Sequence, residues 1–368
     1  MIYNNITKEK VLIVSAWLPG GGVEKVILNL FIDNSPFKNL NVISLSKIIK
    51  YNWVKNFEDK VQFLDFFKST SNSRMMLLYY TVKSAVTLNK KIKEQNPKYI
   101  LVTHSFLLPV FLFIRGKRTI LYWPHNNLLK SNKYNIVNSV FYFLFNSLID
   151  GVLCVNSQIE KEAISCGFKN TKIVYNPIGE GFRNQFLFNP NMKKLCHIGF
   201  LDSRKNTEFI IDALALSGNK KLQLEIIGDG ILLEYLKNKV NNLELNSQVK
   251  FKGFLDLDSI IIESSALIMA SHTEGFSMII SDALKSGIPV ILPKSLDISS
   301  YIETSKSGLI FDNVDLYSLA EILSNIDFRK YNNKKISSEY INFFGIQSYS
   351  KRVIDLLNRL KINYVSNF

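Results

Sequence analysis

The 368-residue sequence predicts an α/β protein built from two doubly wound, Rossmann-like domains. Three observations carry that expectation. Short apolar runs of strand length alternate with helical apolar patterns through both halves of the chain, as parallel sheets covered by helices require. A hydrophobic content of 47% over this length suffices for two ordinary cores. The third is a strand–loop–helix–strand unit around residues 270–290. Apolar Ala266-Leu-Ile-Met-Ala270 leads into a polar loop with Glu274 and Gly275. Ile279, Ile280, Ala283 and Leu284 then recur at helical spacing, and Gly287 ends the run before Pro289-Val290-Ile291-Leu292. Ligands of open α/β sheets bind at such strand-end loops, and the N–H groups opening the next helix suit an anionic phosphate.

In chain order, Val11-Leu-Ile-Val-Ser15 is a buried first strand, followed by Gly20-Gly21-Gly22 and a helix over 25–31. The glycines let backbone approach a ligand closely. The dinucleotide fingerprint is absent, because Lys25 stands where its third glycine belongs. Strands are expected at 42–45 and 61–64, and a helix over Arg74–Gln95. Tyr99-Ile-Leu-Val-Thr-His104 and Thr119-Ile-Leu-Tyr-Trp-Pro-His125 are strands that each end in a histidine. Two further apolar stretches follow at 148–157 and 173–179, and residues 180–193 read as an interdomain linker.

A second alternation then begins with Leu195-Cys-His-Ile-Gly199. Arg204 and Lys205 stand in a loop before a helix over 207–216, where basic side chains act as charge-assisted donors to a diphosphate. Residues 224–230, ending Gly-Asp-Gly, and 249–254, ending at Phe254, are further strands. Asp256-Leu-Asp258 is open to two readings, a divalent-ion pair or caps for a helix over 259–264. Residues 307–312 form the last strand, and 349–360 form an amphipathic helix.

Composition narrows the function classes. No run of 18 apolar residues occurs, so no transmembrane helix is expected; 107–114 and 141–149 are apolar but short. The N-terminus lacks a signal-peptide pattern. Cys154, Cys166 and Cys196 have no metal-ligand spacing and read as reduced packing residues of a cytoplasmic protein. Residues 1–180 hold 23 Lys and Arg against 11 Asp and Glu, a balance of +12, and the remainder holds 22 against 20. A basic half points to an anionic partner, although an AT-rich genome would also enrich lysine. Nucleic acid is disfavoured, because no recognised binding module or basic–aromatic pattern is present. Beside the aromatic stretches 63–67 and 75–80, the charge predicts weak peripheral contact with an anionic membrane, on its inner face.

The motif at Glu274-Gly275-Phe276-Ser277-Met278, with Asp282, Ala283, Gly287 and Pro289-Val290-Ile291, resembles the signature of retaining glycosyltransferases of family 4, which have the GT-B architecture. The family's second glutamate, eight residues after the first, is Asp282 here. Gly21 and Gly22 match the family's first loop, which faces the donor diphosphate. Lys205 matches its diphosphate lysine; Phe200 occupies the usual arginine position, leaving Arg204 to supply that charge. Phe254 precedes the loop that holds the nucleotide base, and His125 matches a histidine beside the donor sugar.

The resemblance implies two domains facing a central cleft, 1–180 for the acceptor and 181–348 for the nucleotide sugar. A closing helix (349–362) packs back onto the first. It also implies transfer of a hexose or N-acetylhexosamine, with retention, from a UDP-linked sugar. The acceptor is a glycan or lipid-linked acceptor of cell-surface polysaccharide synthesis, and no metal or other cofactor is required. Glu274, His125 and Lys205 are the implied catalytic residues. Arg204, Gly275, Phe276, Ser277, Met278 and Asp282 join the donor site. An epimerase on the same architecture is the alternative; Glu274 and the Lys205 loop argue against it.

Overall fold

The computed structural model describes residues 9–16, 22–31, 37–46, 59–67, 74–114, 118–129, 135–178, 186–255, 262–274, 276–312 and 314–365. Two compact units emerge: Met1–Glu180 with Phe344–Phe368, and Gly181–Phe343.

The first unit runs β1 (Lys10–Ser15), α1 (Gly22–Asn29), β2 (Asn39–Ser46), β3 (Val61–Phe67), α2 (Arg74–Gln95), β4 (Tyr99–Val102), a 3-10 stretch (Ser105–Phe113), β5 (Thr119–Tyr122), α3 (Asn135–Phe145), β6 (Gly151–Cys154), α4 (Ser157–Ser165) and β7 (Thr171–Ile173). Its seven strands are parallel in the order β3-β2-β1-β4-β5-β6-β7. β1 and β4 are central, and Leu12, Ile13, Val14, Ile100, Leu101 and Val102 are fully buried. That burial explains why both strands read as continuous apolar runs rather than alternations. Asn156 caps α4, its Oδ1 accepting from Ile159 N at 2.7 Å.

The second unit runs β8 (Phe186–Phe188), β9 (Lys194–Ile198), α5 (Thr207–Ser217), β10 (Gln223–Ile227), α6 (Leu233–Asn242), β11 (Val249–Gly253), β12 (Ile262–Ser264), β13 (Ala266–Ile268), α7 (Met278–Lys285), β14 (Val290–Pro293), α8 (Ser299–Ser305), β15 (Gly308–Phe311), α9 (Leu316–Ser324) and α10 (Asn333–Phe344). Its main sheet is ordered β11-β10-β9-β13-β14-β15, all parallel, and β8 pairs with β12 alone. The chain winds outward from β9 in one direction and from β13 in the other. The reversal between those strands opens a crevice at their carboxyl ends.

α11 (Ile346–Val365) closes the first unit. Tyr349, Val353, Leu356, Leu357 and Leu360 are buried along one side. A Cβ on Gly151 would stand 3.3 Å from Leu360 Cδ1, so the helix lies close over β6. Lys172 Nζ donates to Asp355 Oδ2 at 2.6 Å.

Three local expectations need correction. The helix expected over 259–264 is strand β12 where it is described, from residue 262; Asp256 and Asp258 lie outside the described residues. The expected linker 180–193 contains strand β8, because Phe186–Phe188 finds a partner in Ile262–Ser264. The first helix spans Gly22–Asn29 rather than 25–31, since it begins at the third glycine. Of the aromatic stretches, 63–67 lies on edge strand β3, and the side chains of 75–80 lie outside the described residues.

Candidate donor site

Lys205 is set by its backbone. After β9 the chain turns at Gly199, and Lys205 N donates to Asp202 O at 3.3 Å and to Asp202 Oδ1 at 3.1 Å. Asn206 follows in a left-handed conformation (φ 52°), and α5 starts. A Cβ on Gly199 would lie 3.1 Å from Lys205 Cε and 3.4 Å from Cδ, so the lysine stem runs over the glycine. The Gly-Asp-Gly segment backs this loop. A Cβ on Gly230 would meet Leu201 O at 2.4 Å, and Leu201 N donates to Asp229 O at 2.9 Å. Only glycine allows that approach.

Glu274 enters from the loop after β13. His272 N donates to Arg204 O at 3.0 Å, which ties the two loops backbone to backbone. Lys205 Nζ then donates to Glu274 Oε1 at 2.5 Å, with side chains 11% and 13% exposed. Arg204 is half exposed and stands farther off, its Nη1 3.8 Å from Glu274 Oε1 and its Nε 3.9 Å from Asp202 Oδ2. Two cations and a carboxylate thus meet at the strand-order reversal. Such a set can bind an anion and orient a hydroxyl-bearing ligand.

α7 follows. Ser277 is its extended N-cap (φ −71°, ψ 112°) and makes no side-chain cap bond. Ser281 Oγ donates to Ser277 O at 3.1 Å, and Tyr340 Oη donates to Ser281 Oγ at 2.9 Å from α10. Ser337 Oγ donates to Lys285 O at 2.5 Å at the other end. At Gly287 (φ +80°) a Cβ would stand 2.4 Å from Asn333 O. Helix α10 therefore holds α7 at its start, its last turn and the turn beyond. Burial pushes the Tyr340 hydroxyl pKa well up, which keeps it a donor.

Phe276, Ser277, Met278 and Asp282 are half-buried in this segment. Phe254 follows β11, the sheet edge, and is exposed. Gly21 and Gly275 lie outside the described residues, and Gly22 opens α1.

In the first unit the strand order reverses between β1 and β4. His104 follows β4, its Nδ1 accepting from Ala16 N at 3.4 Å and 2.8 Å from Thr103 Oγ1. His125 follows β5, its ring 4.7 Å from that of the fully buried Trp123. His125 Nε2 and Trp123 Nε1 are buried with no hydrogen-bond partner among the described residues. Burial, with His104 adding to it, lowers the His125 pKa to about 3, so the ring is neutral near pH 7. No sequence pattern singles out His104; its place at the reversal is visible only once strand order is known. Nor does any local pattern single out Gly199, Asp202, His272 or Tyr340. Among the described residues no group of three or more His, Cys, Asp or Glu could hold a metal ion.

The fold is that of the GT-B glycosyltransferases. The structure superposes on the lipopolysaccharide outer core galactosyltransferase WaaB with a TM-score of 0.74 at 21% identity, covering 95% of this chain and 99% of that one. It superposes on HepE of Anabaena, solved in complex with UDP, with a TM-score of 0.71 at 16% identity, covering 95% and 100%. Residues 180–327 match the family model described as Glycosyl transferases group 1, which takes in the whole Lys205–Glu274 region. An uncharacterised glycosyltransferase of Methanocaldococcus jannaschii is 25% identical over 65% of this chain, and the match spans 66% of that protein. A second one from that organism is 25% identical over 56% of this chain and is spanned over 60% of its length. The lipopolysaccharide 1,6-galactosyltransferase of Salmonella typhimurium is 25% identical over 87% of both chains. The matched family and these named relatives support a transferase.

Proposed function

We propose that the protein is a retaining family 4 glycosyltransferase that moves a hexose or N-acetylhexosamine from a UDP-linked sugar to a glycan or lipid-linked acceptor. The setting is cell-surface polysaccharide synthesis, at the cytoplasmic face. The pairing of Lys205 with Glu274 at the strand-order reversal carries this reading. Breaking the sugar–phosphate bond builds negative charge on the leaving diphosphate. Lys205, Arg204 and the first N–H groups of α7 are assigned to stabilise it, without a metal. Glu274 is assigned to the sugar hydroxyls, Asp282 to the ribose and His125 to the sugar ring. Gly21, Gly22, Phe254, Gly275, Phe276, Ser277 and Met278 are assigned to donor binding. The UDP complex of HepE supports a uridine donor, and the Salmonella relative supports a surface-glycan acceptor.

Weak association with an anionic membrane accompanies this reading. The first unit carries 27 Lys and Arg against 12 Asp and Glu, a balance of +15, whereas the second carries 18 against 19. No helix among the described residues is long and apolar enough to cross a membrane.

The test is incubation with a panel of radiolabelled nucleotide sugars, with and without membrane extract. Label should pass from a uridine-linked donor to acceptor, with anomeric configuration kept in the purified product. An epimerised donor formed without acceptor would overturn the proposal.

A further inference from the structure

Helix α3 leaves an apolar face uncovered. Tyr142 turns inward, its ring 6.2 Å from Tyr122 and 6.1 Å from Phe168. On the other side Val140 is 53% exposed, Phe143 69% and Leu144 64%. Their spacing of three and four puts them on one face. The patch extends to a second element. A Cβ on Gly167, in the turn after α4, would stand 3.6 Å from Phe143 Cδ2, and Ile164 at the end of α4 is 58% exposed. Single exposed apolar residues are ordinary; four large ones on adjoining elements mark an interaction surface.

The charges around the patch say what covers it. Lys161 and Lys169 are exposed on α4 and the turn after it. The neighbouring carboxylates are occupied within the fold. Glu162 Oε2 accepts from Leu128 N at 2.6 Å and Leu129 N at 3.0 Å, and its Oε1 accepts from Gln158 Nε2 at 2.8 Å. Asp150 Oδ2 accepts from Ile120 N at 2.7 Å, and Glu160 Oε1 lies 3.5 Å from Thr171 Oγ1. These neutral partners do not cancel the carboxylate charges but turn them into the fold, so the exposed charges beside the apolar patch are the two lysines, in a unit of charge +15. Packing a second copy here would bring two such units together against their repulsion.

We infer that the α3–α4 face, through Val140, Phe143, Leu144 and Ile164 with Lys161 and Lys169, docks on an anionic lipid surface. The apolar side chains enter the interfacial layer and the lysines meet lipid phosphates. This inference rests on the membrane association proposed above and names the face responsible for it; it is independent of the transfer chemistry.

Co-sedimentation with vesicles of phosphatidylcholine alone, or with one third phosphatidylglycerol, tests it on the full chain. Wild-type protein should partition at least tenfold better onto the anionic vesicles, less so at high salt. The double variant Phe143→Ser/Leu144→Ser changes exposed side chains only, and should lose at least tenfold of that binding. It should keep its melting temperature and its transfer to a water-soluble acceptor. Lys161→Glu/Lys169→Glu should lose the preference for anionic lipid. No wild-type binding would remove the membrane reading and leave the transferase standing. Unchanged binding by the Ser variant would overturn this face alone. A wild-type dimer that the Ser variant converts to monomer would assign the face to a second copy instead.

Discussion

Lys205 and Glu274 belong to loops 69 residues apart in sequence, yet their charged atoms meet at 2.5 Å. Removing either one strands a partner that is only 11% or 13% exposed. Loss of one member of a nearly buried pair costs more than the pair contributes. Lys205→Ala should lower turnover about a hundredfold, on the order of 3 kcal/mol of transition-state stabilisation, while the fold survives. Glu274→Ala should nearly abolish transfer. Arg204→Ala should cost less than Lys205→Ala, because Arg204 is half exposed and sits at 3.8 Å. Single-turnover rates of the three variants check the ranking, and a larger loss at Arg204 would exchange the roles.

Asp282 stands where the resemblance implies a glutamate, and it is half-buried on α7. One methylene fewer shortens its reach by about 1.5 Å. Contact with a ribose then needs a closer helix or a bridging water. Asp282→Ala should weaken donor binding more than it slows the bound complex, and Asp282→Glu should keep or tighten binding. Calorimetric titration with UDP and rates at saturating donor separate the two effects.

Tyr340→Phe deletes one hydroxyl from a fully buried side chain. Ser281 keeps its bond to Ser277 O but loses the donor that aims it. Stability should fall by about 1 kcal/mol, the ordinary net worth of a hydrogen bond. Loosening the start of α7 should also raise the donor KM with kcat held, a split that simple destabilisation would not give.

His197 is fully buried. Its Nδ1 donates to Ile268 O at 3.1 Å, so its Nε2 is left to accept from Thr207 Oγ1 at 2.9 Å. The neutral ring satisfies both partners, and burial lowers its pKa from 6.5 to about 4. Below about pH 6.5 the unfolded chain takes up a proton that the folded chain refuses. Stability is therefore full above that pH and falls as pH drops toward 4, by on the order of 3 kcal/mol from this group. Melting temperatures across this window should show a shallower slope in His197→Gln than in the wild type; equal slopes would remove His197 from the account.

The central strands are legible because both faces are buried, which makes the runs 11–14, 99–102 and 266–268 apolar throughout. The helix expected over Arg74–Gln95 has those bounds in the structure. What failed was decided at a distance. Ile262–Ser264 is a strand because Phe186–Phe188 pairs with it, and no local pattern near residue 260 contains that partner. Of the candidate site, residue type and loop position single out Arg204, Lys205 and Glu274, which the structure brings together. Their support is not legible in the same way: Gly199 matters because a lysine stem crosses it, and Tyr340 because it reaches a serine 59 positions away. His104 gains meaning only from the order β1–β4–β5, which sequence order does not reveal.

The return of α11 to the first unit has a consequence for synthesis. The first 180 residues leave the ribosome without the helix that covers β6 and buries Tyr349 and Leu360. Another 163 residues, the whole second unit, must be translated first, roughly 8 to 33 s at usual elongation rates. The second unit is continuous in sequence and needs no later segment of the chain to complete its fold. The customary vectorial order is then inverted: the segment made first is completed last. Ribosome-stalled chains that carry residues up to 343 followed by a flexible tether long enough to clear the exit tunnel should show a protease-resistant second unit beside a sensitive first one, and extending the chain through residue 365 ahead of the same tether should abolish the difference.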